Sequence, residues 1–330
     1  MPVWGLGASR RAAIHLALCL VCIAQMASVH AATLRVGPQH ALKLPSQAAR
    51  VARDGDTVEI EAGDYRRDAA AWRANNLTLR GVNGMARLFS DGATVEGKGI
   101  WVIKGANTVV EGIGFFDARV PDRNGAGIRL EGANLTVRRC LFRDNENGIL
   151  TGANRASEVL VEDSEFDRNG HGDGYSHNLY IGTIARFTLR DSVSRQARAG
   201  HQVKSRAAVS VIANNRIEDG PGGRSSYLID LPSGGDAEVT GNTLHQGPLA
   251  ENFTMLAYGA ENLPHAVNRL RVSGNTFIND RQQGCRLIWV KPVLESAEVS
   301  GNKFVGCSRI EGKVQESDNR ALQHRVFPTE

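Results

Sequence analysis

One short phrase returns along most of this chain. Leu135-Thr136-Val137-Arg138-Arg139-Cys140-Leu141-Phe142 aligns with Val159-Leu160-Val161-Glu162-Asp163-Ser164-Glu165-Phe166 and with Ala237-Glu238-Val239-Thr240-Gly241-Asn242-Thr243-Leu244. It comes back over Leu270 to Phe277 and Ala297 to Phe304. One column of the alignment reads Ile113, Cys140, Ser164, Ser192, Asn215, Asn242, Asn275, Asn302, at intervals of 27, 24, 28, 23, 27, 33 and 27 residues. Two positions later a second column reads Phe115, Phe142, Phe166, Ser194, Ile217, Leu244, Phe277, Phe304. Self-similarity at such a period means a solenoid, in which each repeat buries its apolar face only against its neighbours.

Within each repeat the pieces are short alternating strands broken by Gly and Asn, with no helical period. Coils of this length hold two or three strands joined by turns, which predicts an all-β chain: a single-stranded right-handed parallel β-helix over residues 66–310. Equivalent positions then stack about 4.8 Å apart. The Asn column becomes a ladder of side-chain amides inside a turn, and the Phe column stacks in the core.

Residues 32–65 read as an N-terminal cap. Thr33 to Val36 suggests a strand, and Pro45-Ser46 followed by Ala48, Ala49, Val51 and Ala52 suggests a short amphipathic helix over the open end of the stack. Residues 311–330 read as a polar C-terminal tail. Residues 1–31 have the form of a secretory signal, with Arg10-Arg11 ahead of an apolar run and Val29-His30-Ala31 as a cleavage site, so the expected location is periplasmic or secreted, by a general or a twin-arginine route, with no membrane span after cleavage.

Removing that segment leaves 37 basic and 35 acidic residues, from totals of 39 and 35, a net charge of +2. A nearly neutral chain gives no argument for nucleic acid and a mild one for an acidic ligand. Cys19 and Cys22 leave with the signal, so Cys140, Cys285 and Cys307 remain. An odd count argues against a disulfide framework; export permits a Cys285–Cys307 bridge, and two separate buried thiols are the favoured expectation. A monomer is expected.

Unusual chemistry concentrates in three phrases about one repeat apart: His177-Asn178-Leu179-Tyr180, His201-Gln202-Val203-Lys204-Ser205-Arg206, and Tyr227-Leu228-Ile229-Asp230. If Leu179, Val203 and Ile229 point inward together, alternation turns Tyr180, Lys204 and Asp230 outward in one column. Candidate catalytic residues are Lys204, Arg206, His201, His177 and Tyr180; candidate substrate-binding residues are Asp230, Tyr227, Asn178 and Arg224. The blander reading is a stabilising ladder in which Lys204 pairs with Asp230 and the histidines fill turns. Neither a metal nor another cofactor is expected, because no Cys or His pair has a recognised ligand spacing. A cluster of His171, Asp173, His177 and His201 is the nearest thing to a metal site. The Asn252 to His265 stretch, in the longest repeat, is expected to wall one side of a groove.

The Gly-Asn-Thr-Leu, Gly-Asn-Thr-Phe and Gly-Asn-Lys-Phe phrases, with the Asp54-Gly55-Asp56 turn, give the mature chain its resemblance to the pectin-lyase-like right-handed β-helix proteins. That scaffold hosts lyases, hydrolases, epimerases and binding proteins. Locally, Val203-Lys204-Ser205 followed by Asn214-Asn215 and Gly234-Gly235-x-x-x-Val239-x-Gly241-Asn242 resembles the chondroitinase B and alginate lyase family. The resemblance implies an exported enzyme that cleaves an acidic, uronate-containing polysaccharide by β-elimination, with Lys204 as the base. Asp230-Leu231-Pro232 stands where the family has its catalytic arginine, and Ala199, Gly200 and His201 stand where it has calcium-binding glutamates, so calcium finds no support in the residues.

In such a reaction a cation neutralises the C6 carboxylate, a base removes the C5 proton and an acid protonates the departing O4. Arg206 suits the carboxylate because its fork binds both oxygens. With Asp230 one coil away, Lys204 reads as a positioned cation, leaving His201, His177 or Tyr180 as proton carriers. The other reading, from a different functional class, is a non-catalytic periplasmic protein that binds or escorts a glycan.

Overall fold

The computed structural model describes residues 1–2, 31–291 and 297–322. The expected signal segment lies almost wholly outside them. Among the described residues no helix is long and apolar enough to cross a membrane.

From Thr33 to Leu322 the backbone climbs in rungs, every one parallel to the next. Three ladders run the length of the stack. One contains Ala133–Arg138, Asn154–Glu162, Ile184–Arg190, Val209–Ala213 and Asp236–Thr240. The second contains Ile113–Phe116, Leu141–Arg143, Glu165–Asp167, Val193–Arg195 and Arg216–Glu218. These two merge at the N-terminal end through the long strands Thr57–Arg66 and Thr78–Phe89. The third is a separate sheet of ten strands. Ladder pairing starts at Thr33–Val36 against Thr57–Ile60 and ends with Gln315–Ser317 and Arg320–Leu322, so the stretch expected as a cap supplies the helix Pro45–Val51 and the first rungs as well.

The repeat phrase has a local cause. Gly112, Arg139, Asp163, Asp191, Asn214, Gly241, Gly274, Gly301 and Asp318, each one residue before the first column, all have φ between +49° and +67°. A left-handed residue turns the chain sharply between the first and second ladders, and Gly or Asn adopts it at least cost. The residue after the turn faces inward. Asn215, Asn242 and Asn275 each donate Nδ2 to a carbonyl of the preceding coil, at 2.9, 2.8 and 2.8 Å. The backbone N–H of each donates to the next asparagine's Oδ1 at 2.8 to 2.9 Å. Asn302 bonds onward to Asn319, a member that the sequence columns did not include. Toward the N-terminus Ser192, Ser164 and Cys140 continue the series with smaller groups.

The second column packs as aligned. Phe115, Phe142 and Phe166 are fully buried and stack at centroid distances of 5.0 and 4.7 Å. Ser194 breaks the column because polar side chains enter the core at that level: its Oγ accepts from Asn178 Nδ2 at 3.1 Å and donates to the Gln202 carbonyl at 2.9 Å. Cys285 and Cys307 are bridged, contrary to the favoured expectation of separate thiols; they sit on successive coils with Cα atoms 6.2 Å apart, inside the span a disulfide needs. Among the described residues Cys140 is a free, buried thiol, its pKa pushed up to about 12 by burial.

Asn242→Ala removes a side chain that makes four hydrogen bonds in the ladder. It should lower unfolding free energy by roughly 1 to 3 kcal/mol in urea titration, since the partners stay buried and unpaired. Lys303→Ala, an exposed side chain on the strand that follows Asn302, should change the midpoint far less. Equal shifts in the two variants would refute the separation of scaffold from surface.

Candidate functional site

The third sheet carries the candidate residues. Leu179–Ile181, Val203–Ser205 and Ile229–Leu231 are adjacent strands, with Leu179, Val203 and Ile229 in register and fully buried. Tyr180, Lys204 and Asp230 form the next register line and face outward, as alternation requires. The line extends through Leu150 and Arg129 on the N-terminal side and through Ala257 and Trp289 on the other.

Lys204 and Asp230 are in contact, Nζ to Oδ2 at 3.1 Å, with side-chain exposures of 12% and 3%. His201 Nε2 reaches the same Oδ2 at 3.3 Å. The other carboxylate oxygen of Asp230 is buried and has no partner among the described residues. Burial pushes the Asp230 carboxyl upward, and the Lys204 ammonium opposes that.

The histidines are held by the backbone. The His201 N–H donates to His177 Nδ1 at 3.0 Å, and the Tyr227 N–H donates to His201 Nδ1 at 3.1 Å. The two imidazoles stack at 4.7 Å, the Tyr227 ring tilts against His201 at 5.1 Å, and the Tyr180 ring meets His177 edge-on at 5.3 Å. Gly200 permits this approach, since a Cβ there would collide with the Ser176 carbonyl. With Nδ1 accepting, each neutral ring carries its proton on Nε2. Burial, then the charge of His201 with those of Lys204 and Arg206 behind it, holds His177 well below the ordinary histidine range; burial with Lys204 and Arg206 brings His201 to about 3. The expectation of histidine proton carriers rested on near-neutral titration, and this burial removes that basis. Both rings are neutral Nε2–H donors near pH 7, without a free nitrogen to accept a proton.

Arg206 lies at the edge of the sheet, where its Nε donates to the Tyr180 hydroxyl at 3.3 Å. Its two terminal nitrogens grip the Glu261 carboxylate at 2.6 and 2.7 Å, and Lys204 Nζ stands 3.9 Å from that carboxylate. Glu261 belongs to the Asn252–His265 stretch, expected to wall a groove; instead Thr254–Tyr258 is a buried strand of the third sheet, and the segment after it packs against Arg206, sending His265 Nε2 to the Arg206 carbonyl at 3.2 Å. Arg206 holds the Glu261 carboxyl below the usual range. Sequence reasoning did not single out Glu261, because it sits 55 residues from Arg206 with no strand register to connect them.

Two other expectations need correcting. Asn178 is fully buried; its Oδ1 accepts from Asn169 and its Nδ2 donates to Ser194 and Gln202, so it belongs to a second internal amide ladder and not to a binding surface. Arg224 lies at the opposite end of these strands, on the turns, paired with Glu251 at 3.3 Å in a cleft with Arg168 and Arg198. His171 is drawn to Glu146 at 3.3 Å, away from His177 and His201. Among the described residues no three His, Cys, Asp or Glu side chains group as a metal site.

A groove of about 540 Å³ opens beside the column. Tyr180 and Arg206 line one end, Arg129 and Leu150 the floor beyond, and Asp173 and Tyr175 part of the rim.

Acidification should expose the histidine burial. On unfolding, His177 regains a pKa near 6.5, so the unfolded chain binds a proton that the native chain refuses. The stability associated with neutral His177 is present above that pH and is lost as pH falls below it. The melting temperature of the native chain should therefore fall relative to that of His177→Gln between pH 7 and 5. A constant difference across that range would contradict the buried neutral ring.

Comparison with known proteins gives the same architecture. The profile described as right handed beta helix region matches residues 72–182. No curated protein matches the sequence. Among solved structures, an alginate lyase from Paenibacillus sp. str. FPU-7 superposes with a TM-score of 0.65 at 15% identity, covering 86% of this chain and 99% of that one. The pectate lyase Pel9A gives a TM-score of 0.49 at 11% identity, covering 88% of this chain and 78% of that one. At these identities the likeness concerns the fold alone, and the chain has the right-handed parallel β-helix fold of pectin-lyase-like proteins.

Proposed function

We propose that this is an exported polysaccharide lyase that cleaves a uronate-containing chain by β-elimination in the groove beside Tyr180, Lys204 and Arg206. One observation carries the reading: a carboxylate, that of Glu261, already lies between Arg206 and Lys204, gripped by the first at 2.6 and 2.7 Å and 3.9 Å from the second. Two cations converging on one carboxylate are what a uronate C6 group requires before its C5 proton becomes acidic. The substrate's carboxylate takes the place of the Glu261 carboxylate, an exchange that leaves Arg206 charge-paired throughout. The alginate lyase that shares this fold accords with the substrate class.

Tyr180 is the proton carrier. Its oxygen accepts from Arg206 Nε, so its own hydroxyl proton is free to go to a ligand in the groove. In one exchange the Tyr180 hydroxyl gives its proton to O4 as the C4–O4 bond breaks, the Tyr180 oxygen takes the C5 proton as the C5–H bond breaks, and the C4=C5 double bond forms, so that Tyr180 ends with its hydroxyl restored. Lys204, at 5.8 Å from the Tyr180 ring centroid, stands on the next rung as a cation oriented by Asp230, and with Arg206 it neutralises the uronate carboxylate. His201 holds Asp230 and His177 holds the His201 backbone, without exchanging protons.

Ultraviolet absorbance tests this directly, because elimination leaves a conjugated unsaturated uronate and hydrolysis does not. The mature protein mixed with alginate, pectate or chondroitin should produce the chromophore from one of them. Tyr180→Phe and Lys204→Ala should each slow it by about 10² to 10⁴-fold, the usual worth of a positioned proton carrier and of a cation at the developing charge. No chromophore from any uronate polymer, with one of them raising the melting temperature, would replace this reading by a glycan-binding one. That second reading has its own support: in the free protein both cations are already neutralised, by Asp230 and Glu261.

Glu261→Gln removes the competing negative charge. KM for the cleaved polymer should fall roughly twofold to fivefold, the worth of a partly exposed ion pair, with the melting temperature barely changed. A rise in KM would mean that Glu261 assists binding.

A further inference from the structure

Arg129 stands out among the cations of this sheet. Lys204, Arg206, Arg224 and Arg286 each face a carboxylate. Among the described residues the Arg129 guanidinium has no hydrogen-bond or ion-pair partner, and its Nε is shut away from solvent. A partly buried arginine without a counter-charge is costly to keep. It lies in the outward register line with Leu150, Tyr180 and Lys204, and lines the same groove as Tyr180 and Arg206. One rung is about 4.8 Å, so Arg129 lies about 10 Å from Tyr180 and about 14 Å from Lys204 along the solenoid axis. Between them the Leu150 rung offers an apolar floor, and Tyr175, 84% exposed, offers an aromatic ring at the rim. Alternating apolar platforms and cations suit a chain of sugar rings that carry carboxylates at regular intervals.

We propose that Arg129 is a second carboxylate-binding subsite, so that an acidic polysaccharide lies along the solenoid axis, one uronate at Arg206 and another, further toward the N-terminal coils, at Arg129. This rests on the uronate reading above and extends it. The groove then prefers oligomers long enough to reach both arginines over shorter ones.

The test uses Tyr180→Phe, which retains all the cations, titrated calorimetrically with mannuronate, guluronate and galacturonate oligomers of two to six residues. In one of these series the affinity should rise with length, by roughly tenfold to a hundredfold once both arginines are reached, the worth of a charge-assisted contact. Adding Arg129→Gln should abolish that rise and leave disaccharide binding as it was. Adding Arg50→Gln, an equal loss of charge on the helix far from the groove, should leave the rise intact. A length dependence that survives Arg129→Gln, an equal loss at every length, or no binding in any series would each overturn the subsite. The lyase reading is separable: chromophore from the native protein together with an unaltered length dependence in Arg129→Gln retains the lyase and removes the subsite. Arg129-dependent binding without chromophore does the reverse.

Discussion

Everything in this molecule depends on coil register. A parallel rung places each residue directly above its counterpart one turn away, so a one-residue slip would turn every outward side chain inward. Sheet hydrogen bonds alone do not forbid such a slip, because the backbone is the same at each residue. The inward asparagines do. Asn215, Asn242, Asn275 and Asn302 each bind the next coil's asparagine and a carbonyl of the previous coil, and a slip would strand these amides inside the core. The left-handed residue before each asparagine fixes where the turn falls. Turn and amide together set the register that brings Tyr180, Lys204 and Asp230 into line 24 and 26 residues apart.

The same logic explains how much of the structure was legible in the sequence. Features repeated on every coil could be read by alignment: the left-handed turn, the amide column, the aromatic column and the inward line of Leu179, Val203 and Ile229. Their alternation also gave the outward line. Features that occur once could not. Glu261 reaches Arg206 from a loop outside any repeat, and Arg129 acquires meaning only from the carboxylate it lacks. Asn178 reads as a surface residue because it stands beside a histidine in a conspicuous phrase, while the cue to its role lies elsewhere, in Ser194. A serine in an aromatic column leaves room for polar side chains, and Asn178 and Gln202 occupy it. Asn145 and Asn169, which complete that second ladder, fall in turns of varying length where alignment by repeat gives no guide.

Placing polar groups in the core at the level of the site has an electrostatic consequence. His177 and His201 are kept neutral by burial, and their Nδ1 atoms accept backbone N–H groups from the following coil. They act as extensions of the sheet, carrying its ladder outward to the surface, where His201 meets Asp230. Asp230 is thus a buried carboxylate fixed by a neutral donor on one side and a cation on the other, which orients Lys204 without leaving it free to swing to solvent. A charge held this way loses little reorganisation when a ligand arrives, and preorganised charge is the largest single term in stabilising an anionic intermediate.

Arg206 and Arg129 differ in how the free protein satisfies them, and the difference bears on the order in which a polyanion engages. The Glu261 carboxylate must be displaced from Arg206, whereas nothing need leave Arg129. A polymer can therefore be captured at Arg129 without competition and laid along the Leu150 floor, after which its neighbouring uronates are held at high local concentration beside Arg206. Exchange there is then intramolecular, one carboxylate for another, and needs no separation of unpaired charge. On the proposed reading Glu261, in the segment after strand Thr254–Tyr258, keeps Arg206 paired until a chain long enough to reach both arginines is in place.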